Sequence, residues 1–113
     1  MKTKELITSY DETNDVLSGK LTDKNGFVAN YFIGGGIFLS MDKNKNPVAF
    51  YIDDASKSLG VDKYTLEDPH IAVAIQSNDL EIDFEIYVSS NKIFKLKSNN
   101  RFGFEISELW DTN

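Results

Sequence analysis

His70 is the only histidine of the chain and sits between Pro69 and Ile71, where a loop gives way to a β-like run. A lone imidazole can act as a general base. The local sequence shows no obvious nucleophile-base-orienter set around it, so it reads as a structural or surface residue. Glu81, Asp83 and Glu85 supply three carboxylates at alternate positions, which puts them on one face of a strand. Hard cations take oxygen ligands. These side chains, however, stand roughly 6–7 Å apart along a strand, and Lys95 and Lys97 are placed to face them, so the metal reading gives way to a solvated, acidic sheet face. Asp53 and Asp54, followed by Ser56 and Lys57, gather carboxylate, hydroxyl and amine. Such a group reacts only when its pKa values are strongly shifted, and helix capping explains it more simply. The run from Asp42 to Asn46 lacks the glycine and the distal glutamate of a calcium loop and reads as a turn. Gly34, Gly35 and Gly36 lead into no helix and no Lys-Ser/Thr pair, so they read as a bulge or tight turn rather than a phosphate cradle. Trp110, in ISELWDTN, either anchors a partner or pins the tail to the core.

The elements that must position these groups are short runs rich in Val, Ile, Phe and Tyr, bounded by Asn, Asp and Gly. Strands are expected over Leu6–Tyr10, Val16–Thr22, Phe27–Ile33, Gly36–Asp42, Val48–Asp53, Ile71–Gln76, Leu80–Val88, Lys92–Lys97 and Phe102–Ile106. One helical stretch is expected over residues 54–67. Asp54 is its N-cap, Gly60 closes its first turn in a left-handed conformation, and Asp62 caps a second turn to Leu66. A two-residue loop at Asn44-Lys45 pairs Met41 with Val48, Leu39 with Phe50, Ile37 with Ile52 and Phe38 with Tyr51. A three-residue loop at Ser89-Ser90-Asn91 pairs Ile86 with Phe94, Phe84 with Leu96, Glu85 with Lys95 and Asp83 with Lys97. A slip of one residue would invert every side chain, so these registers are strongly specified. Leu39, Phe50, Ile52, Ile82, Phe84 and Ile86 form the expected core, with a short helix as the cover of the sheet.

The fold class is therefore α+β and mainly β: an antiparallel sheet of seven to nine strands built from hairpins, in a single domain over residues 1–113. The chain has no cysteine, which excludes thiolate metal sites, disulfides and cysteine nucleophiles. The N-terminal MKTKELITSY has no apolar leader run, and no segment approaches the roughly 20 apolar residues of a membrane span. A cytoplasmic protein with no membrane role is expected. The net charge of −6 disfavours nucleic acid and favours a basic partner.

Tyr10-Asp11 with Asp15, Val16 and Leu17, then Gly36-Ile37, the turn at Asp42–Asn44, Val48, Ile52 and Asp54-Ala55-Ser56-Lys57 resemble the YuzE-like bacterial family of unknown function. The resemblance runs over residues 7–60. Ser18-Gly19 stands where that family has an aromatic or aliphatic pair, and Lys45 replaces its turn glycine. The resemblance implies a small antiparallel sheet carrying a helix. It implies no catalytic residues, and it makes a role beside small toxins plausible.

The expected function is that of a small acidic, non-catalytic interaction module without cofactor. An antitoxin, an immunity protein or a phage-encoded inhibitor of a basic protein would fit, with a bacterial or mobile-element origin. Its contacts would run through Glu81, Asp83, Glu85 and Trp110, and self-association stays open. The alternatives are a small-ligand-binding β domain using Tyr31, Phe38 and Tyr51 on the second sheet face, and, below that, a small enzyme using the Asp53–Lys57 group or His70.

Overall fold

Alternating apolar runs make strands because successive side chains point to opposite faces, so each run buries one face. The structure, a computed structural model, describes residues 3–23 and 26–112. The ends of the MKTKELITSY and ISELWDTN readings, Met1, Lys2 and Asn113, lie outside the described residues, as do Lys24 and Asn25. Nine strands are described: β1 (Thr3–Asp11), β2 (Val16–Leu21), β3 (Ala29–Gly34), β4 (Ile37–Met41), β5 (Pro47–Ile52), β6 (Ile71–Ser77), β7 (Glu81–Val88), β8 (Asn91–Asn99) and β9 (Ser107–Asp111). Two short helices, α1 (Ala55–Leu59) and α2 (Lys63–Leu66), link β5 to β6. The strands form one sheet in the order β3-β4-β5-β2-β1-β9-β6-β7-β8.

The fold is mainly β, and the sheet curls until it is nearly closed into a barrel. This differs from a sheet covered by a helix. Helices of five and four residues are too small to cover nine strands, so opposite walls of the curled sheet cover each other. Phe50 on β5 meets Phe84 on β7 edge-on, with ring centroids 6.1 Å apart. All six expected core residues are buried. The sheet is not built from hairpins alone, because β1 and β9 run parallel, with Thr3 opposite Leu109 and Lys4 opposite Trp110. The edges β3 and β8 approach across the remaining gap: a methyl on Gly34 would lie 3.8 Å from Leu96 Cδ2.

The helices close one end of the barrel. Ala55, Leu59 and Leu66 are buried in the common core. Gly60 ends α1 in a left-handed conformation (φ 67°), with the Gly60 N–H donating to Lys57 O and the Val61 N–H to Ser56 O. Those two bonds make a Schellman cap. At the other end Phe104 is buried, and Phe102 stacks on Tyr31 with centroids 4.0 Å apart.

Three local expectations are corrected. Residues 102–106 form no strand: the Phe-x-Phe spacing there plugs the barrel end, and the last strand starts at Ser107. The β4–β5 loop has three residues, because the Lys45 N–H donates to Asp42 O and Lys45 takes a positive φ of 64°. The resulting bulge sets Met41 opposite Pro47 rather than Val48, while Ile37–Ile52, Phe38–Tyr51 and Leu39–Phe50 pair as expected. The β7–β8 turn has only two residues, Ser89 and Ser90, both at positive φ, as a type I′ hairpin turn requires. A shift after Ile86 then restores Ile86–Phe94, Glu85–Lys95, Phe84–Leu96 and Asp83–Lys97.

Candidate functional site

Asp54 does not cap α1: it is left-handed (φ 46°) and makes no side-chain capping bond. Asp15, in the β1–β2 turn, does so instead. The Ser56 N–H donates to Asp15 Oδ1 at 3.0 Å, the Ser56 hydroxyl donates to Oδ2 at 2.6 Å, and the Tyr10 hydroxyl donates to Oδ1 at 2.7 Å. The Ala55 N–H reaches the Asp15 carbonyl at 2.7 Å. Burial opposes ionisation of Asp15, but the bonds from Ser56 and Tyr10 prevail and hold its carboxyl below the usual range. Burial, and then the bond to Asp15, push the Tyr10 hydroxyl up. A carboxylate surrounded by donors is a good cap and a poor base. Asp62 likewise makes no side-chain cap; its carbonyl accepts from the Thr65 N–H.

The acidic face of β7 is neutralised. Lys97 Nζ lies 3.7 Å from Glu81 and 3.8 Å from Asp83, and Lys92 and Lys95 lie 3.0 and 3.9 Å from Glu85. The bond from Lys92, then that from the Tyr87 hydroxyl, lower the Glu85 carboxyl. Trp110 is fully buried and donates its indole N–H to Glu108 at 2.9 Å. It pins the tail and offers no surface to a partner.

His70 is exposed, with Nδ1 3.5 Å from Asp68. The Ser89 hydroxyl bonds to Asp68 rather than to the imidazole, so these three groups form no proton relay. Asp42 accepts from the N–H groups of Asn44 and Asn46, and Gly34–Gly36 make the β3–β4 turn. No group of three or more metal-ligating side chains occurs among the described residues, and no described helix is long and apolar enough to cross a membrane.

The feature least expected from local sequence is a groove of about 610 Å³ on the outer face of β1, β2, β5 and β4. It is built from two rows of outward side chains that run across the strands. The first row is Ile7, Lys20, Ala49, Ser40 and Asn30; the second is Ser9, Ser18, Tyr51, Phe38 and Phe32. Small residues at Ala49, Ser40 and Ser18 leave a trough. Phe38 and Tyr51 wall it on one side, with ring centroids 6.1 Å apart, and Phe27 borders it from the β2–β3 connection. Ile7, Phe27 and Tyr51 are 53%, 57% and 43% exposed, which is much apolar surface for one sheet face. Tyr31 is not part of it: it pairs with Leu39 on the inward row and stacks on Phe102. The groove is of the size and apolar character of small-molecule sites.

Comparison with family models, curated proteins and solved structures returned no match for this chain.

Proposed function

We propose that this protein is a non-catalytic binding domain that holds a small, largely apolar ligand in the outer-face groove. The observation that carries this reading is the alignment of Ala49, Ser40 and Ser18 between the exposed rings of Phe38, Tyr51 and Phe27. The test is a ligand-observed NMR screen with small aromatic compounds, followed by backbone amide mapping. Binders should shift Ile7, Lys20, Ser40, Ala49 and Tyr51, and Ala49→Trp should block them by filling the trough. Shifts confined to other walls, or undiminished affinity in folded Ala49→Trp, would overturn it.

A second reading, the acidic interaction module with a basic protein partner, is favoured by where the charge lies. Segments 11–15 and 53–68 carry eight carboxylates against two lysines, and the other ten carboxylates of the chain match ten Lys and Arg. Contacts of Ser56 with Asp15 and of Lys63 with the Glu12 carbonyl gather these segments at the helix-capped end. There a hydrogen bond and the charge of Glu12 raise the Glu67 carboxyl. The interface of an antitoxin, immunity or inhibitor protein would then be this end rather than β7. Joint Asp53→Lys, Asp54→Lys and Asp62→Lys should slow association with a purified basic partner at low salt. An equal effect from reversing Glu81, Asp83 and Glu85 would count against it. The likeness to the YuzE-like family stays a proposal as well, supported by the meeting of Tyr10, Asp15, Ala55 and Ser56 in one network.

A further inference from the structure

The groove has an electrostatic character opposite to that of the chain. The protein carries eighteen carboxylates and a net charge of −6, yet none of the thirteen residues lining the groove is Asp or Glu. Its one charged lining residue is Lys20. The registers place Lys20 between Ile7 and Ala49 on the outer face. It has no carboxylate partner among the described residues, as Lys43, Lys45 and Lys57 have none, and of these four only Lys20 lines the groove. At the far end of the same row the polar group is neutral: Ser40 donates to Asn30 Oδ1 at 2.7 Å. Three strand spacings, roughly 14 Å, separate the two ends.

We propose that the groove binds a carboxylate with an apolar body, the carboxylate meeting Lys20 and the body lying over Ala49 and Ser40 against Phe38, Tyr51 and Phe27. This rests on the reading of the groove as a ligand site and adds the ligand's charge. One ammonium matches one negative charge. A phosphate dianion would leave a second charge uncompensated on an already acidic protein, and an ammonium ligand would meet Lys20 with like charge. Lys20 is itself exposed, so its ion pair adds a modest, salt-sensitive preference for the anion.

The experiment uses three probes that share one body and differ in charge: 4-phenylbutyrate, 4-phenylbutanol and 4-phenylbutylammonium. Each is titrated into the full chain at low salt, with amide shifts and calorimetry as readouts. The carboxylate should bind about two- to fivefold more tightly than the alcohol at low salt, with shifts at Lys20, Ala49 and Tyr51, and the ammonium should bind most weakly. Lys20→Met keeps the stem and should abolish the difference in affinity between acid and alcohol, whereas Lys57→Met, outside the groove lining, should leave that difference unchanged. Equal affinity for acid and alcohol, or an acid preference that survives Lys20→Met, overturns the charge assignment and leaves the groove standing. Binding of no probe at the groove overturns the groove reading itself.

Discussion

The Asp15 carboxylate caps helix α1 from a turn forty-one residues away in sequence, taking the Ser56 N–H at 3.0 Å and the Ser56 hydroxyl at 2.6 Å. A hairpin turn on one side of the barrel thereby fixes where the closing helices begin. Replacing Asp15 by Ala leaves the Tyr10 hydroxyl and the N–H and hydroxyl of Ser56 without their acceptor, while the Ala55 N–H keeps the Asp15 carbonyl. The expected loss is about 1.5–3 kcal/mol, the range for hydrogen bonds to charged groups. Ser56→Ala keeps the backbone bond and should cost about 1 kcal/mol. Urea denaturation checks both, and equal losses would show that the hydroxyl rather than the charge matters.

The same carboxylate makes stability depend on pH in a defined direction. Its folded pKa is depressed, so on acidification the unfolded chain takes up the proton first. The contribution is fully present above the unfolded value of about 3.9 and is lost as pH falls through the lower folded value. Between pH 7 and 5 it should be constant. Asp15→Asn should be less stable at pH 7 and should show a shallower decline below about pH 4. Parallel acid limbs for the two proteins, measured by thermal melts, would contradict this.

The β4–β5 turn offers a stabilising change. Lys45 holds a left-handed conformation at φ 64°, which costs an L-residue roughly 1 kcal/mol that glycine does not incur. Glycine also adds unfolded-state entropy worth about 0.4–1 kcal/mol, so the net gain expected for Lys45→Gly is at most about 0.6 kcal/mol. The Lys45 side chain does not carry the turn: Asp42 organises it through the N–H groups of Asn44 and Asn46. A shift of the denaturation midpoint to lower urea would mean that the side chain makes a contribution of its own.

What the sequence discloses follows the range of the interaction that decides it. The Phe84–Leu96 and Leu39–Phe50 pairs are legible because two-residue periodicity and a nearby turn set them. The Lys45 bulge shifts that register by one residue at a single place and is invisible to alternation. Asp15 as the cap, and Asp54 as no cap, depend on the β1–β2 turn reaching the end of β5, which no local pattern encodes. Trp110 is one of two outcomes in the sequence; it is buried because β9 enters between β1 and β6, parallel to β1. The groove is hidden for the same reason. Ser18, Ala49 and Ser40 each look like ordinary solvent-face residues until the non-local β2–β5 pairing lines them up.

Gly19 tests that β2–β5 pairing most directly. It lies opposite Phe50, and a Cβ built on it would stand 2.4 Å from Phe50 Cε2 and 3.1 Å from Leu6 Cδ1. The Phe50 ring cannot retreat freely, because it is 1% exposed and packs edge-on against Phe84 across the barrel. The methyl of Gly19→Ala therefore forces the ring or the strand to move. Overpacking of this kind costs about 1–3 kcal/mol. Phe50→Leu removes the two atoms nearest the new methyl at the price of a smaller core residue. In Gly19→Ala/Phe50→Leu the two losses should thus sum to less than the separate effects, with an interaction of at least about 0.5 kcal/mol. Strict additivity in a double-mutant cycle by chemical denaturation would mean that Gly19 does not seat the Phe50 ring, and that β2 and β5 pair in another register.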